Sequence, residues 1–235
     1  MENLVVSIHQ PNFLPWSGYF YKIAQSDVFV LLDNVQYSKN SFINRNKIKT
    51  PQGKNLWLTV PLKSNGLSEI LIKDVVIANQ IEWKKKHLHT LEMSYKRASF
   101  FNQLYSDIEK VYNESQWVDL CFFNVKLINL IIDKLNLNTQ LLIASHLNVE
   151  GKSTQLLVNI VRKLNGKVYL SGYGGSKYQE EDLFEKNDIK LQYYNFTHPV
   201  YPQLWGEFTS GLSIVDLLFN CGPESKDILM GRSQA

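Results

Sequence analysis

The chain has 235 residues, 44% hydrophobic and 20% charged, with a formal net charge of +3. Such a composition supplies a buried core and excludes an intrinsically disordered state, and the length fits one large domain over residues 1–235. The apolar run at Ile128–Ile132 is far shorter than the roughly 20 residues of a membrane span. Neither a basic and apolar leader is expected from Met1-Glu2-Asn3 nor a disulfide or metal framework from Cys121 and Cys221, so a reducing cytoplasm is the expected setting.

Asn3–His9 packs Leu4, Val5, Val6 and Ile8 into one run closed by Gln10-Pro11-Asn12, which predicts a buried strand. Trp16, Tyr19, Phe20 and Ile23 recur at helical spacing, and Val28–Leu32 is a second apolar run ending at Asp33. Two wholly apolar strands around one short helix predict parallel pairing, because a crossover is needed and both sheet faces are covered. Asn34–Lys63 is polar and turn-rich, with Pro51-Gln52-Gly53 before an alternating Leu56–Leu62 stretch, and predicts a loop or hairpin attached to the sheet. Helical periodicity then runs through Asn79–Lys96, Ser99–Asn113 and Gln116–Leu135, a helical subregion at about residues 79–136. Alternation resumes with a strand at Gln140–Ala144, a helix at Ser153–Leu164 capped by Ser153, and a strand at Lys167–Ser171. A helix at Gln179–Lys186, a strand at Lys190–Phe196 and a helix at Leu212–Phe219 complete it. The predicted class is α/β, with a mostly parallel Rossmann-like sheet, helices on both faces and a helical middle.

Charge is unevenly spread. Lys39, Arg45, Lys47, Lys49, Lys54 and Lys63 give Asn34–Lys63 a charge of +6 with no acidic residue, leaving −3 for the rest. A block of one sign suits an anionic partner, a phosphorylated small molecule or a nucleic acid, and equally a solvated loop.

Ligands of open parallel sheets collect at the carboxyl ends of the strands, where His9, Asp33, His146 and Ser171-Gly172 fall. A histidine there acts as acid or base near neutral pH, and an aspartate beside it orients the ring or holds a ligand hydroxyl; the alternative is that each satisfies a local backbone group. Ser171-Gly172-Tyr173-Gly174-Gly175 allows backbone amides to approach an anion. Gly151-Lys152-Ser153-Thr154 is no P-loop, because His146 stands where that motif needs glycine. His87 and His89 are two apart in a helix and do not share a metal. Tyr37 sits inside the basic segment as a ligand candidate, while His198, Gln203, Asp216 and Asn220 add polar groups near the C-terminus.

His9-Gln10-Pro11-Asn12-Phe13-Leu14-Pro15-Trp16-Ser17-Gly18-Tyr19-Phe20, Asp33-Asn34-Val35-Gln36-Tyr37, Asn44-Arg45-Asn46 and Trp57-Leu58-Thr59-Val60-Pro61 resemble the WbqC-like family. The similarity continues at Leu170-Ser171-Gly172, His198-Pro199 and Leu212-Ser213 through Asn220. That resemblance implies a role in making or decorating an unusual sugar of bacterial O-antigen and other surface polysaccharides. The opening strand, helix, strand and basic loop is also similar to nucleotidyltransferases and pantothenate synthetase, although Trp16-Ser17-Gly18-Tyr19 holds neither histidine of their HxGH motif.

The expectation from these readings is an amide-forming transferase or ligase that adds an acyl or aminoacyl group to an amino sugar carried on a nucleotide. His9 is the expected base, assisted by Asp33, with His198 completing the catalytic set. Lys39, Arg45 and Lys49 are expected to clamp a diphosphate, with Gln10, Gln36, Tyr37, Asn44, Ser171, Gly172, Gln203 and Asp216 around the ligand. The donor stays open among an acyl adenylate made from ATP with magnesium, an acyl thioester on CoA or an acyl carrier, and an aminoacyl-tRNA. A noncatalytic scaffold of glycan assembly and a nucleic-acid-binding protein are the alternatives.

Overall fold

The apolar runs at the start of the chain are neighbouring parallel strands. In the computed structural model Val5–His9 (β1) pairs with Val28–Leu31 (β2), Val6 opposite Val28 and His9 opposite Leu31. Residues 3–63 and 69–232 are described; Met1 and Glu2, read above for a leader, lie outside them. Two compact units are formed, one of Met1–Gln10, Gly18–Asn34 and Leu137–Thr197, the other of Pro11–Ser17, Val35–Asn136 and His198–Ala235.

The first unit is a five-stranded parallel sheet. Gln140–Ile143 (β5), Val168–Gly172 (β6) and Lys190–Tyr194 (β7) join β1 and β2 in the order β5-β2-β1-β6-β7. Every residue of β2 is buried, as expected for a strand covered on both faces. Ser17–Ala24 (α1) carries the chain from β1 to β2, Ser153–Lys163 (α5) from β5 to β6, and Glu181–Glu185 (α6) from β6 to β7. The step from β1 to β2 runs opposite to those from β5 to β6 and from β6 to β7, and the right-handed rule for parallel crossovers puts α1 on one face and α5 and α6 on the other. The chain enters β6 through Gly166, where a Cβ would stand 2.7 Å from Val6 Cγ2 and 2.8 Å from Val161 Cγ1; only glycine permits so close an approach to β1. Direction reverses between β1 and β6, which makes their carboxyl ends the switch point of the sheet.

The second unit holds the hairpin Arg45–Lys49 (β3) and Asn55–Thr59 (β4), and the helices Trp83–Tyr95 (α2), Phe101–Asn113 (α3), Leu120–Lys134 (α4), Ile214–Cys221 (α7) and Ser225–Leu229 (α8). Asp119 caps α4 by accepting from Phe122 N at 2.8 Å. Buried Asn124 of α4 donates to the Pro11 and Ile43 carbonyls, tying three chain segments together. Phe13, Trp83, Tyr112, Trp117 and Phe123 form an aromatic core around His87.

Two local expectations are corrected. Among the described residues the basic hairpin is a two-stranded antiparallel sheet of its own, not part of the parallel one. Ser153 does not cap α5: Lys152 is the cap residue, with no side-chain bond, and Ser153 is the first helical residue at φ 50°. Among the described residues no helix is long and apolar enough to cross a membrane.

Candidate functional site

His9 ends the central strand of the first unit, and Leu32 N donates to its carbonyl at 2.8 Å, fixing the backbone against β2. Its Nδ1 lies 3.1 Å from the Gln10 carbonyl oxygen. A carbonyl only accepts, so this contact assigns the proton of the neutral ring to Nδ1 and leaves Nε2 with a lone pair. Nε2 has no hydrogen-bond partner among the described residues. Tyr19 of α1 sets its ring edge-on to the imidazole at 4.9 Å and donates its hydroxyl to the same Gln10 carbonyl at 3.0 Å. Burial, then the nearby Lys22 charge, push the His9 pKa down to about 4 against the opposing pull of the Gln10 bond. The ring is therefore neutral at pH 7 and oriented by a backbone group.

Lys22, one turn after Tyr19 in α1, is the residue that sequence reasoning missed. It is buried, donates to the Ile8 carbonyl at 2.8 Å, and lies 5.9 Å from the Phe29 ring centre. Burial pushes its pKa down to about 7, so the ammonium and the amine are nearly equally populated at neutral pH. A lysine on the apolar stripe with Tyr19 and Ile23 was the available signal.

Asp33, just past β2, is buried and commits both oxygens to one residue beyond β5: Oδ1 accepts from Ser145 N at 2.8 Å and Oδ2 from Ser145 Oγ at 2.6 Å. It holds the turn that carries His146, and Gln10, not Asp33, orients His9.

Ser171 is buried at the end of β6, its hydroxyl within 3.3 Å of the Gly172 carbonyl. In the turn that follows, Gly175 packs so tightly that a Cβ would meet Ser171 Oγ at 2.5 Å, whereas Gly174 faces open space. Tyr173 and Tyr178 of this loop are 69% and 68% exposed, far more than large aromatic side chains usually are, and the Tyr173 ring lies 6.0 Å from that of Tyr193 on β7. They are accessible aromatic faces beside the switch point, a feature that the sequence reading took only as a glycine-rich turn.

The other named residues belong to the second unit. Tyr37 is buried and donates to Asn44 Oδ1 at 3.0 Å, while Asn44 Nδ2 donates to the Val60 carbonyl at 3.0 Å, so this pair braces the base of the hairpin. Gln36 is exposed and its backbone bridges to Leu71; Lys39 is exposed. Lys49 is buried and points inward, donating to Gln203 Oε1 at 3.1 Å and to the Glu207 carbonyl. Asp216 of α7 accepts from the Tyr95 hydroxyl at 2.8 Å and the Tyr201 hydroxyl at 2.9 Å. Burial raises the Asp216 pKa, opposed by those two hydroxyls and by the Lys49 charge. Lys49, Gln203 and Asp216 are thus brought together in one buried network. Asn220 supports it, donating to the Asp216 carbonyl at 2.7 Å and accepting from Leu204 N at 3.3 Å. Arg45 stacks its guanidinium over Trp57 at 4.4 Å and donates from Nη2 to the Asn40 carbonyl at 2.6 Å. His198 packs against Trp16 with ring centres 5.2 Å apart, and burial lowers its pKa.

His87 is buried between the Tyr112 hydroxyl and the Thr59 carbonyl and His89 is exposed, so the two diverge as their spacing predicts. Among the described residues, no cluster of three or more His, Cys, Asp or Glu side chains is placed to hold a metal ion. A groove of about 960 Å³ beside α2 and α3 is lined by Trp83, Leu88, His89 and Tyr105 and contains none of the expected site residues.

A doubly wound parallel sheet with a neutral, backbone-oriented histidine at its switch point defines an α/β protein of the open-sheet class. The WbqC-like protein family model matches residues 10–228, and the chain belongs to that family. It is 35% identical, over 225 residues, to an uncharacterized protein of Mycobacterium tuberculosis (strain ATCC 25618 / H37Rv), covering 95% of this chain and 96% of the other. No solved structure matches the chain.

Proposed function

We propose that this protein forms an amide bond, transferring an acyl or aminoacyl group to the amine of an amino sugar carried on a nucleotide, in the making of a bacterial surface polysaccharide. The observation that carries this reading is His9, with Nδ1 bonded to the Gln10 carbonyl and Nε2 unpartnered at the end of the central strand. In the proposed reaction the sugar amine attacks the acyl carbon and a C–N bond forms. His9 Nε2 takes the proton the amine loses, and the bond to the leaving group breaks, whether that group is a thiolate, an adenylate phosphate or a tRNA hydroxyl. The leaving group then receives that proton, which restores the neutral ring.

Three further features support the site. Burial first, and the Lys22 charge second, keep the His9 ring neutral at pH 7. The open Gly174 and the exposed Tyr173 and Tyr178 supply a backbone approach and flat faces for a sugar or base at the same edge of the sheet. Cys121 and Cys221 are free and buried, which suits the reducing cytoplasm as the place of action.

A noncatalytic scaffold of glycan assembly is the second reading. It is favoured by Asp33, both of whose carboxylate oxygens are bonded within the chain. Incubation with amino-sugar nucleotides and each donor class in turn, followed by mass spectrometry, separates the two. The expected result is a mass increase equal to one acyl or aminoacyl group, lost in His9→Ala. No increase with any donor contradicts the transferase reading and favours the scaffold.

A further inference from the structure

The β3–β4 hairpin alternates over Arg45–Ile48 and Trp57–Leu58 and departs from alternation at buried Lys49 and exposed Leu56. Asn46, Ile48 and Leu58 turn inward and are buried, so Arg45 and Lys47 share the outer face with Trp57, which pairs directly with Lys47. Trp57 is 38% exposed and its neighbour Phe42 43%, with ring centres 5.8 Å apart. Isolated exposed aromatics are ordinary, but two in contact on a basic ribbon are not.

The cations of this face are organised around the aromatic pair. Arg45 lies 4.4 Å and Lys47 4.9 Å from the centre of the Trp57 ring. The Arg45 bond to the Asn40 carbonyl keeps the exposed Lys39 at the same end of the ribbon, and exposed Lys54 stands at the turn. None of Lys39, Arg45, Lys47 or Lys54 forms an ion pair among the described residues. Lys49, the next outward position of β3, differs because its ammonium is buried in the network around Gln203.

We infer that the outer face of this hairpin binds single-stranded nucleic acid, one or two bases stacking on the Phe42–Trp57 pair while Arg45, Lys47 and Lys54 hold consecutive phosphates. From Arg45 to Thr50, whose backbone N–H donates to the Lys54 carbonyl across the turn, the strand rises roughly 16 Å. A row of cations of that length reaches beyond one diphosphate and is matched by a chain of phosphates. A basic groove with aromatic rings between its charges is the arrangement by which single strands are held without sequence preference, and an arginine already stacked on tryptophan is preordered for it. This inference stands on the hairpin alone and is independent of the chemistry proposed for His9.

The test is fluorescence anisotropy with a labelled 12-nucleotide single-stranded RNA at several salt concentrations, with inorganic polyphosphate as competitor. Neutralising three or four phosphates gives an expected slope of log Kd against log salt of about 2–3. Trp57→Ala is expected to weaken binding about tenfold or more, while Trp57→Phe keeps most of it. Lys47→Gln, which removes a charge but no ring, is expected to lower the slope by about 0.7; it also covers the case in which Trp57→Ala fails to fold. Absence of binding at about 50 mM salt overturns the inference. So does polyphosphate competing as well as unlabelled RNA, or a folded Trp57→Ala that binds as wild type does.

Discussion

Two buried lysines of this protein meet very different surroundings. Lys49, in the second unit, donates to the Gln203 amide and the Glu207 carbonyl and lies close enough to Asp216 to favour its charged form. Lys22, in the first, has the Ile8 carbonyl and an aromatic ring nearby, and burial brings its pKa to about 7. A buried cation with two oxygen partners and a nearby carboxylate is a structural tie; one with a single carbonyl is held at the edge of losing its proton. The same contrast separates half-buried His9 from buried His87. His87 has a partner at each ring nitrogen, whereas His9 has one at Nδ1 only.

The largest expected effect is at Lys49. Lys49→Met leaves Asp216 buried without its nearby cation and is expected to cost about 3–5 kcal/mol in urea unfolding. Lys22→Met is expected to stay within about 1 kcal/mol of wild type at pH 7, because a half-neutral amine on an apolar stripe is replaced by a side chain of similar volume. Equal losses in the two variants would break the comparison. Next is His9→Ala, expected to remain folded and to lose at least about a hundredfold in turnover; a thermal melt and the mass-spectrometric assay check both parts.

Acid comes third. The folded pKa of His9 is depressed, so the unfolded chain takes up the proton first as pH falls. The stability His9 contributes is complete above about pH 6.5 and is lost between there and pH 4, amounting to about 2–3 kcal/mol at most at pH 4.5. His87, also pushed to about 4, has the same sign. His9→Gln is expected to lose less stability than wild type between pH 7 and 4.5. The smallest effect is alkaline. With Lys22 depressed from 10.5 to about 7, its contribution grows as pH rises from 7 toward 10 and is lost on acidification through 7. Wild type is therefore expected to gain about 2 kcal/mol relative to Lys22→Met between pH 7 and 9.

The parallel sheet was legible in the sequence because β1, β2 and β6 are continuous apolar runs, and His9 was legible because it ends the first of them. The separate pairing of β3 was not. Arg45-Asn46-Lys47-Ile48-Lys49 reads as a polar loop, since its inward Asn46 is satisfied by a side-chain bond to the Leu14 carbonyl at 2.6 Å and its Lys49 is covered by a segment more than 150 residues away. The same long-range cover changes what Lys49 offers, from a surface charge to a buried donor. Asp33 was found at the end of its strand, but its partner Ser145 lies 112 residues on, joined only when β5 pairs with β2. Lys22 is not legible because the apolar periodicity of α1 rests on Tyr19, Phe20 and Ile23, and a lone lysine in such a helix ordinarily reaches solvent.

The central claim is that His9 is a neutral base with its lone pair on Nε2. Nuclear magnetic resonance titration of the His9 ring nitrogens in the isotope-labelled protein tests it most directly. The account predicts a ring protonated at Nδ1 alone at pH 7, titrating near pH 4 in wild type and at a higher pH in Lys22→Met, where the opposing charge is gone. A ring protonated at Nε2, or a titration near 6.5 that Lys22→Met leaves unmoved, would contradict it.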